Sequence, residues 1–189
     1  MSEWKEKFET MKHYDRQAGI YNVQYLEEQN YKIENILSDI KFNQSDLVID
    51  VGCGTGFLFN HVSREAKMLV GLDLSVNSLR VAKKKLTNSA NMALVRADAD
   101  NTPFPNQIFD KVFAVSVLQN MPNNLKTISE MKRIGKSETI FAFTGFKKKF
   151  NQESFLNLLK SVNLKIMKLV DNQKLKGYVV LCKNKKTKV

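Results

Sequence analysis

Cysteine and proline are scarce in this chain of 189 residues, which contains two cysteines and three prolines. Two cysteines cannot build a disulfide framework or a multi-cysteine zinc site, and we expect no metal centre. No uncharged apolar run approaches the roughly 18 residues that a membrane-spanning helix needs. Residues 1–10 alternate acids with lysines and lack the apolar core of a secretory signal. These absences predict a cytoplasmic protein that does not associate with membranes.

Arginine is absent from the last quarter of the chain, although most of the positive charge lies there. The formal net charge is +11. Residues 1–146 carry a net charge of only +1, whereas residues 147–189 hold twelve lysines and two acids. A positive face can attract nucleic acid or other anions, but bidentate phosphate recognition favours arginine. We interpret the lysines first as a solvated surface and keep an RNA or protein ligand open.

The apolar pattern alternates between strands and helices along most of the chain. A helix is predicted over residues 22–41, and others follow later, one of them over residues 57–66. Short apolar runs predict buried strands over 47–51, 68–74, 93–97, 110–117 and 139–146. A helix over 152–162 and an antiparallel strand pair, 164–170 and 177–182, complete the pattern. Alternating units of this kind predict a doubly wound α/β fold with a mostly parallel sheet and helices on both faces.

A glycine-rich turn with the sequence GCGTG, residues 52–56, follows the first predicted strand. Glycines let the backbone approach a ligand closely, and the start of the next helix offers free N–H groups. Phe57 stands where the dinucleotide fingerprint requires glycine, which disfavours a nicotinamide cofactor. The Gly-Lys-Ser/Thr of a P-loop is also missing, so a phosphate-cradling P-loop is excluded.

An aspartate lies at the end of each of the first three predicted strands: Asp50, Asp73 and Asp98. In an open parallel sheet, ligands bind at the edge that these strand ends share. Asp50 would suit a ligand that bears an amine, and Asp73 can accept both hydroxyls of a ribose. Asp98 can accept a hydrogen bond from the exocyclic amine of adenine. Each acid alone could be a helix cap or a loop residue, but three acids at matching strand ends indicate one shared site.

These motifs resemble those of class I methyltransferases that depend on S-adenosylmethionine (SAM). Residues 48–56 (VIDVGCGTG) resemble the first motif and residues 71–75 (GLDLS) the second. Residues 97–110 resemble the third motif and are typical of the branch related to ubiquinone and menaquinone methyltransferases, methyltransferase type 11. The resemblance spans about residues 14–146. It implies a Rossmann-like sheet of seven strands, with an antiparallel final strand, and SAM as the cofactor.

The resemblance also implies a role for individual residues in cofactor binding. Gly52 and Gly54 would lie against the methionine part of SAM, with Asp50 near its ammonium group. The adenosine part would lie between the ribose-binding Asp73 and an adenine edge that includes Asp98. The full expected set is Tyr14, Tyr21, Asp50, Gly52, Gly54, Asp73, Leu74, Asp98, Ala99 and Ser116.

Two parts of that set lie outside the three motifs. Tyr14 and Tyr21 resemble the aromatic residues of an N-terminal lid that closes over the cofactor, although ordinary core packing explains them equally well. Ser116 would face the cofactor and open towards the substrate. We expect a single methyltransferase domain over 1–189, which we divide into a helical lid (1–42), a cofactor-binding core (43–146), a final helix and strand pair (147–183) and a lysine-rich tail (184–189).

The sequence does not identify a catalytic residue. Residues 118–122 (LQNMP) stand where many relatives carry a histidine base, and His13, beside the lid, is a weak substitute. We expect a methyltransferase that acts on a small molecule. One alternative is an RNA or protein methyltransferase guided by the lysines of the last quarter, and another is a non-catalytic partner subunit that only binds the cofactor. The methyl acceptor and the oligomeric state stay open.

Overall fold

The computed structural model describes residues 2–86 and 90–185, which form a seven-stranded sheet in the order β3-β2-β1-β4-β5-β7-β6. The strands are β1 Leu47–Val51, β2 Met68–Asp73, β3 Met92–Arg96, β4 Phe109–Ala114, β5 Gly135–Phe146, β6 Leu164–Val170 and β7 Gly177–Asn184. β7 runs in the direction opposite to the other six strands, so its pairings with β5 and β6 are antiparallel and the remaining pairings are parallel. The predicted sheet of seven strands with an antiparallel final strand is confirmed.

Six α-helices surround this sheet in the described part of the chain. They are α1 Glu3–Gln17, α2 Tyr21–Leu37, α3 Phe59–Val62, α4 Val76–Lys83, α5 Asn124–Ile134 and α6 Gln152–Ser161. None of these helices is long and apolar enough to cross a membrane. Ser75 caps α4, because its hydroxyl accepts a hydrogen bond from the Ser78 N–H.

Several predicted boundaries differ from the structure, among them the end of the helix predicted over 22–41, which ends at Leu37. The helix predicted over 57–66 shortens to the four residues of α3, because the chain turns after it to reach β2, where the Lys67 N–H donates to the Asp46 carbonyl. The predicted tail begins one residue too early, because Asn184 is the last residue of β7 and pairs with Leu164. Residues 186–189 of that tail lie outside the described residues.

Apolar side chains that alternate along the strands create a core on each face of the sheet. Val48 faces α2, α3 and α4, whereas its neighbour Ile49 faces α5 and α6. Both side chains are fully buried. Leu125 of α5, by contrast, is 49% exposed. The two cores confirm helices on both faces of the sheet.

The N-terminal helices are fixed above the carboxyl ends of the strands by polar contacts. The Asp15 carboxylate of α1 accepts hydrogen bonds from the Ser75 hydroxyl at 2.5 Å and from the Asn77 N–H at 3.0 Å. The Thr55 hydroxyl, in the glycine loop, donates to the Asn22 side chain of α2 at 2.5 Å. Since the strand order reverses between β1 and β4, these helices cover the position at which doubly wound sheets bind ligands.

Candidate functional site

A cavity lies at the carboxyl ends of β1, β2 and β3, beneath α1 and α2. All ten residues predicted to bind a cofactor line it: Tyr14, Tyr21, Asp50, Gly52, Gly54, Asp73, Leu74, Asp98, Ala99 and Ser116. The fold therefore brings the whole predicted set together around one space. Their individual contacts with a cofactor stay a prediction.

The glycine loop after β1 forms the floor of this cavity. Gly52 and Gly54 have positive φ angles of 69° and 54°, which side-chain-bearing residues rarely adopt. A Cβ atom on Gly52 would lie 2.4 Å from a methyl group of Val117, so no larger residue fits there. A Cβ atom on Gly54 would have no other atom within 4 Å. The backbone at Gly54 is therefore open to close approach by a ligand.

Asp50 is a buried carboxyl group at this cavity, 3% exposed. Two causes raise the pKa of Asp50 to about 8: burial is the larger, and the nearby charge of Asp73 is the smaller. Within the described residues, no side chain or backbone N–H donates a hydrogen bond to its carboxylate. A buried acid without a donor is costly to ionise unless a cation approaches it. Asp50 thus fits a ligand that carries an ammonium group, as the amino acid part of SAM does.

Asp73, the last residue of β2, holds the glycine loop in place. Its carboxylate accepts hydrogen bonds from the N–H groups of Gly54 and Ser75, both at 2.8 Å. Burial raises the pKa of Asp73, and these backbone donors oppose that rise. Each carboxylate oxygen has a second lone pair, so Asp73 can still accept hydrogen bonds from the two hydroxyls of a ribose.

Asp98, two residues after β3, is paired with a lysine that sequence reasoning missed. The Lys7 ammonium of α1 lies 2.9 and 2.8 Å from the two oxygens of Asp98 and 2.5 Å from Asp100. Burial alone would lower the pKa of Lys7, but its two acidic partners outweigh that effect and raise it. An adenine amine would therefore share Asp98 with Lys7. Nothing in the alternating charges of residues 1–10 distinguishes this lysine from its exposed neighbours.

A second cleft, of about 650 Å³, adjoins the cavity. The residues that line both spaces are Tyr14, Tyr21, Gln29, Ser116 and Asn120. The Tyr14 hydroxyl accepts a hydrogen bond from the Asn120 side chain at 2.9 Å, and the rings of Tyr14 and Tyr21 meet edge to face at 6.0 Å. Burial raises the pKa of both tyrosines. They form a neutral, aromatic boundary between the two spaces.

Ser116 marks the junction of the two spaces, beyond the end of its strand. The strand predicted to reach residue 117 ends at Ala114, and Ser116 has a φ angle of 62°. Its N–H donates to the Thr144 hydroxyl at 2.7 Å, which fixes this unusual conformation. Its own hydroxyl accepts a hydrogen bond from the Lys32 ammonium at 2.8 Å.

Lys32 is a second buried lysine that the sequence did not single out. It lines the second cleft from α2 and is 5% exposed. Burial lowers its pKa, and Glu28, at 3.2 Å, opposes that shift. His13, the candidate base of the sequence analysis, also lines this cleft but is exposed, with its ring against Tyr14. Lys32 is therefore more buried than His13, and it is the better candidate to exchange a proton beside the junction.

Comparison with known proteins supports the family. The family model described as "Methyltransferase domain" matches residues 49–143. An uncharacterized protein of Methanocaldococcus jannaschii is 29% identical, over 91% of this chain and 70% of its own length. A demethylmenaquinone methyltransferase of Staphylococcus epidermidis is 31% identical over 64% of this chain, and the match spans only half of that enzyme.

Solved structures agree on the fold. The crystal structure of a SAM-dependent methyltransferase from Aquifex aeolicus superimposes with a TM-score of 0.70, covering 79% of this chain and 88% of that one, at 18% identity. The glycine loop, the acid-lined cavity and the family match over half of the chain agree with one another. The chain therefore belongs to the class I SAM-dependent methyltransferases, the family whose cofactor is S-adenosylmethionine.

Proposed function

We propose that this chain transfers the methyl group of SAM to a small-molecule acceptor, with the cofactor in the cavity and the acceptor in the adjoining second cleft. The observation that carries this proposal is the junction at Ser116, where an acid-lined cavity meets a separate cleft. Methyl transfer requires donor and acceptor atoms about 3–3.5 Å apart and aligned. Five residues line both spaces, so a cofactor in one would adjoin an acceptor in the other.

In this proposal, the cavity residues bind and orient SAM. Asp50 receives the ammonium group, Asp73 receives the ribose hydroxyls, and Gly52 and Gly54 lie against the methionine part. Leu74 and Ala99 would contact the adenine, together with Asp98, whose two oxygens also contact Lys7. Tyr14, Tyr21 and Ser116 would close the cavity towards the acceptor. When bound, SAM supplies a methyl group made electrophilic by its sulfonium, so the work of the protein is positioning and electrostatics.

Lys32 is our candidate for handling the proton that an acceptor hydroxyl or amine releases. Its hydrogen bond to Ser116 places the ammonium group beside the junction. Because burial lowers its pKa, the neutral amine form is more accessible than for a lysine in water. Glu28 holds the side chain in position.

A small acceptor agrees with the name of one relative, the demethylmenaquinone methyltransferase, although this chain spans only half of that enzyme. The lysines of the last quarter favour the alternative of an RNA or protein acceptor. The junction favours the small molecule, because buried or half-buried side chains, Tyr14, Tyr21 and Gln29 among them, line both spaces.

Two measurements test this proposal. Calorimetric titration should detect binding of SAM and of S-adenosylhomocysteine, its demethylated product. SAM with a radiolabelled methyl group should then label the small-molecule fraction of a cell extract that has been separated into small molecules, RNA and protein. Label in the RNA or protein fraction would favour the alternative acceptor. Cofactor binding without label in any fraction would favour a non-catalytic subunit.

A further inference from the structure

The second cleft has a charge of its own, opposite to that of the cavity. Five lysines line it: Lys32, Lys147, Lys148, Lys149 and Lys176. The acid in its lining, Glu28, is already paired with Lys32 at 3.2 Å and with Lys176 at 2.8 Å. The cleft therefore carries an excess of positive charge.

Two of these lysines have no acidic partner among the described residues. Lys147 pairs with Asp171 at 2.7 Å. Lys148 and Lys149 are exposed and form no ion pair with any described carboxylate. Their charge is available to a ligand.

The backbone fixes the position of these lysines at the mouth of the cleft. They follow directly after β5, in a turn closed by a hydrogen bond from the Lys149 N–H to the Phe146 carbonyl at 2.8 Å. The Lys147 N–H donates to the Lys176 carbonyl at 3.0 Å, which connects this turn to the start of β7. A turn held at both ends presents its lysines in a defined place.

The cleft is also lined by four aromatic side chains. Tyr14, Tyr21, Tyr25 and Phe146 line it, and the rings of Tyr21 and Tyr25 lie 4.7 Å apart. Aromatic walls suit a flat apolar body, whereas lysines at the mouth suit an anionic group. Both features line the same space.

We propose that the second cleft binds a methyl acceptor with a flat apolar body and an oxyanion, a carboxylate or a phosphate, which Lys148 and Lys149 hold at its mouth. This inference rests on the proposed function and specifies its substrate class. The anionic end lies against the exposed lysines, and the body extends between the tyrosines towards Ser116. The reacting atom then faces the cofactor cavity.

Three probes with one aromatic frame test the inference: 6-hydroxy-2-naphthoate, 2-naphthyl phosphate and the neutral 6-hydroxy-2-naphthamide. Their dissociation constants are measured by fluorescence on the full chain saturated with S-adenosylhomocysteine. We expect at least one anion to bind about tenfold more tightly than the amide, and the preference to weaken as salt is added. The stronger of the two anions then distinguishes a carboxylate from a phosphate.

A double variant locates the effect. Lys148→Gln with Lys149→Gln should weaken binding of the preferred anion about tenfold and leave binding of the amide unchanged. The matched control is Lys160→Gln with Lys165→Gln, which removes the same charge from exposed positions outside the cleft. This control should retain the wild-type preference.

Three results would overturn the inference. The first is equal binding of both anions and the amide, and the second is an anion preference that survives Lys148→Gln with Lys149→Gln. The third is displacement of the naphthoate by a 20-nucleotide RNA at lower concentration than by 2-naphthyl phosphate. The last result would identify a nucleic-acid site. Failure of the proposed function gives a different result, because S-adenosylhomocysteine itself would then not bind.

Discussion

The cavity and the second cleft share a wall but differ in charge and in burial. Asp50, Asp73 and Asp98 line the cavity, where Asp50 is only 3% exposed. Lysines line the cleft, and Lys148 and Lys149 at its mouth are exposed. The cationic groups of SAM suit the first space, and an anionic acceptor suits the second. Under the proposed function, the two substrates would be separated by charge.

Burial also determines how strongly each set of charges acts. Charges in the cavity interact at low effective dielectric, so their effects are large and depend little on salt. Charges at the mouth of the cleft are screened, so their effects are smaller and salt-dependent. Experiments on the two spaces should therefore differ in magnitude, and the following three test the cavity.

The largest expected effect is on cofactor affinity in Asp73→Ala. Loss of an acceptor for two ribose hydroxyls should weaken binding of S-adenosylhomocysteine roughly 1,000-fold, because hydrogen bonds to a charged group contribute about 1.5–3 kcal/mol each. Calorimetric titration measures this change. Asp73→Asn, which retains one acceptor oxygen, should give an intermediate loss.

The matched control for this experiment is Asp39→Ala, which removes an exposed acid that lies outside the cavity. It should bind as the wild type does. Thermal unfolding of each variant separates a binding effect from a folding effect. If Asp73→Ala folds normally and binds with wild-type affinity, the proposed role of the cavity acids is wrong.

The next largest effect is on stability in Lys7→Met. This change leaves Asp98 and the fully buried side chain of Asp100 without their counter-charge. Breaking a buried ion pair by removing one partner costs about 3 kcal/mol. Urea unfolding should therefore show a loss of this size. Lys5→Met, at an exposed position of the same helix, should change stability by less than about 0.5 kcal/mol. Equal losses of stability in both variants would contradict a stabilising role for the ion pairs of Lys7.

The remaining effect concerns the pH dependence of stability. The ordinary pKa of an aspartate is 3.8, and burial raises the pKa of Asp50 to about 8 in the folded chain. Between pH 3.8 and pH 8 the unfolded chain releases the Asp50 proton, whereas the folded chain keeps it. The protonated Asp50 therefore contributes fully to stability below pH 3.8, and this contribution is lost as pH rises through 8. The melting temperature without cofactor should therefore fall from pH 5 to pH 8.

Asp50→Asn removes the titrating group and serves as the comparison. Its melting temperature should fall less over this range than that of the wild type, by about 10 °C. Scanning calorimetry at several pH values measures both proteins. Parallel curves for the two would show that the Asp50 carboxyl is already ionised in the folded chain.

Much of the cavity follows from local sequence patterns. Apolar runs of five to six residues define β1 and β2, and the acids Asp50 and Asp73 occupy fixed positions in those strands. Parallel strands with right-handed crossovers place their carboxyl ends at one edge, so acids that are 23 residues apart in sequence reach the same space. Helix lengths were less predictable. In α3, for example, the apolar spacing continues beyond the helix, but the chain turns there to begin the next strand.

The second cleft and the paired lysines depended on tertiary structure. Lys7 meets Asp98 across 91 residues, and Lys32 meets Ser116 across 84 residues. Both contacts arise because α1 and α2 dock over the strand ends, and no periodicity in the chain encodes that docking. The sequence by itself determined the sheet, the glycine loop and the three acids, because strand spacing places them. Only the packing of distant segments selected which of thirty cationic side chains are buried and which line a cleft.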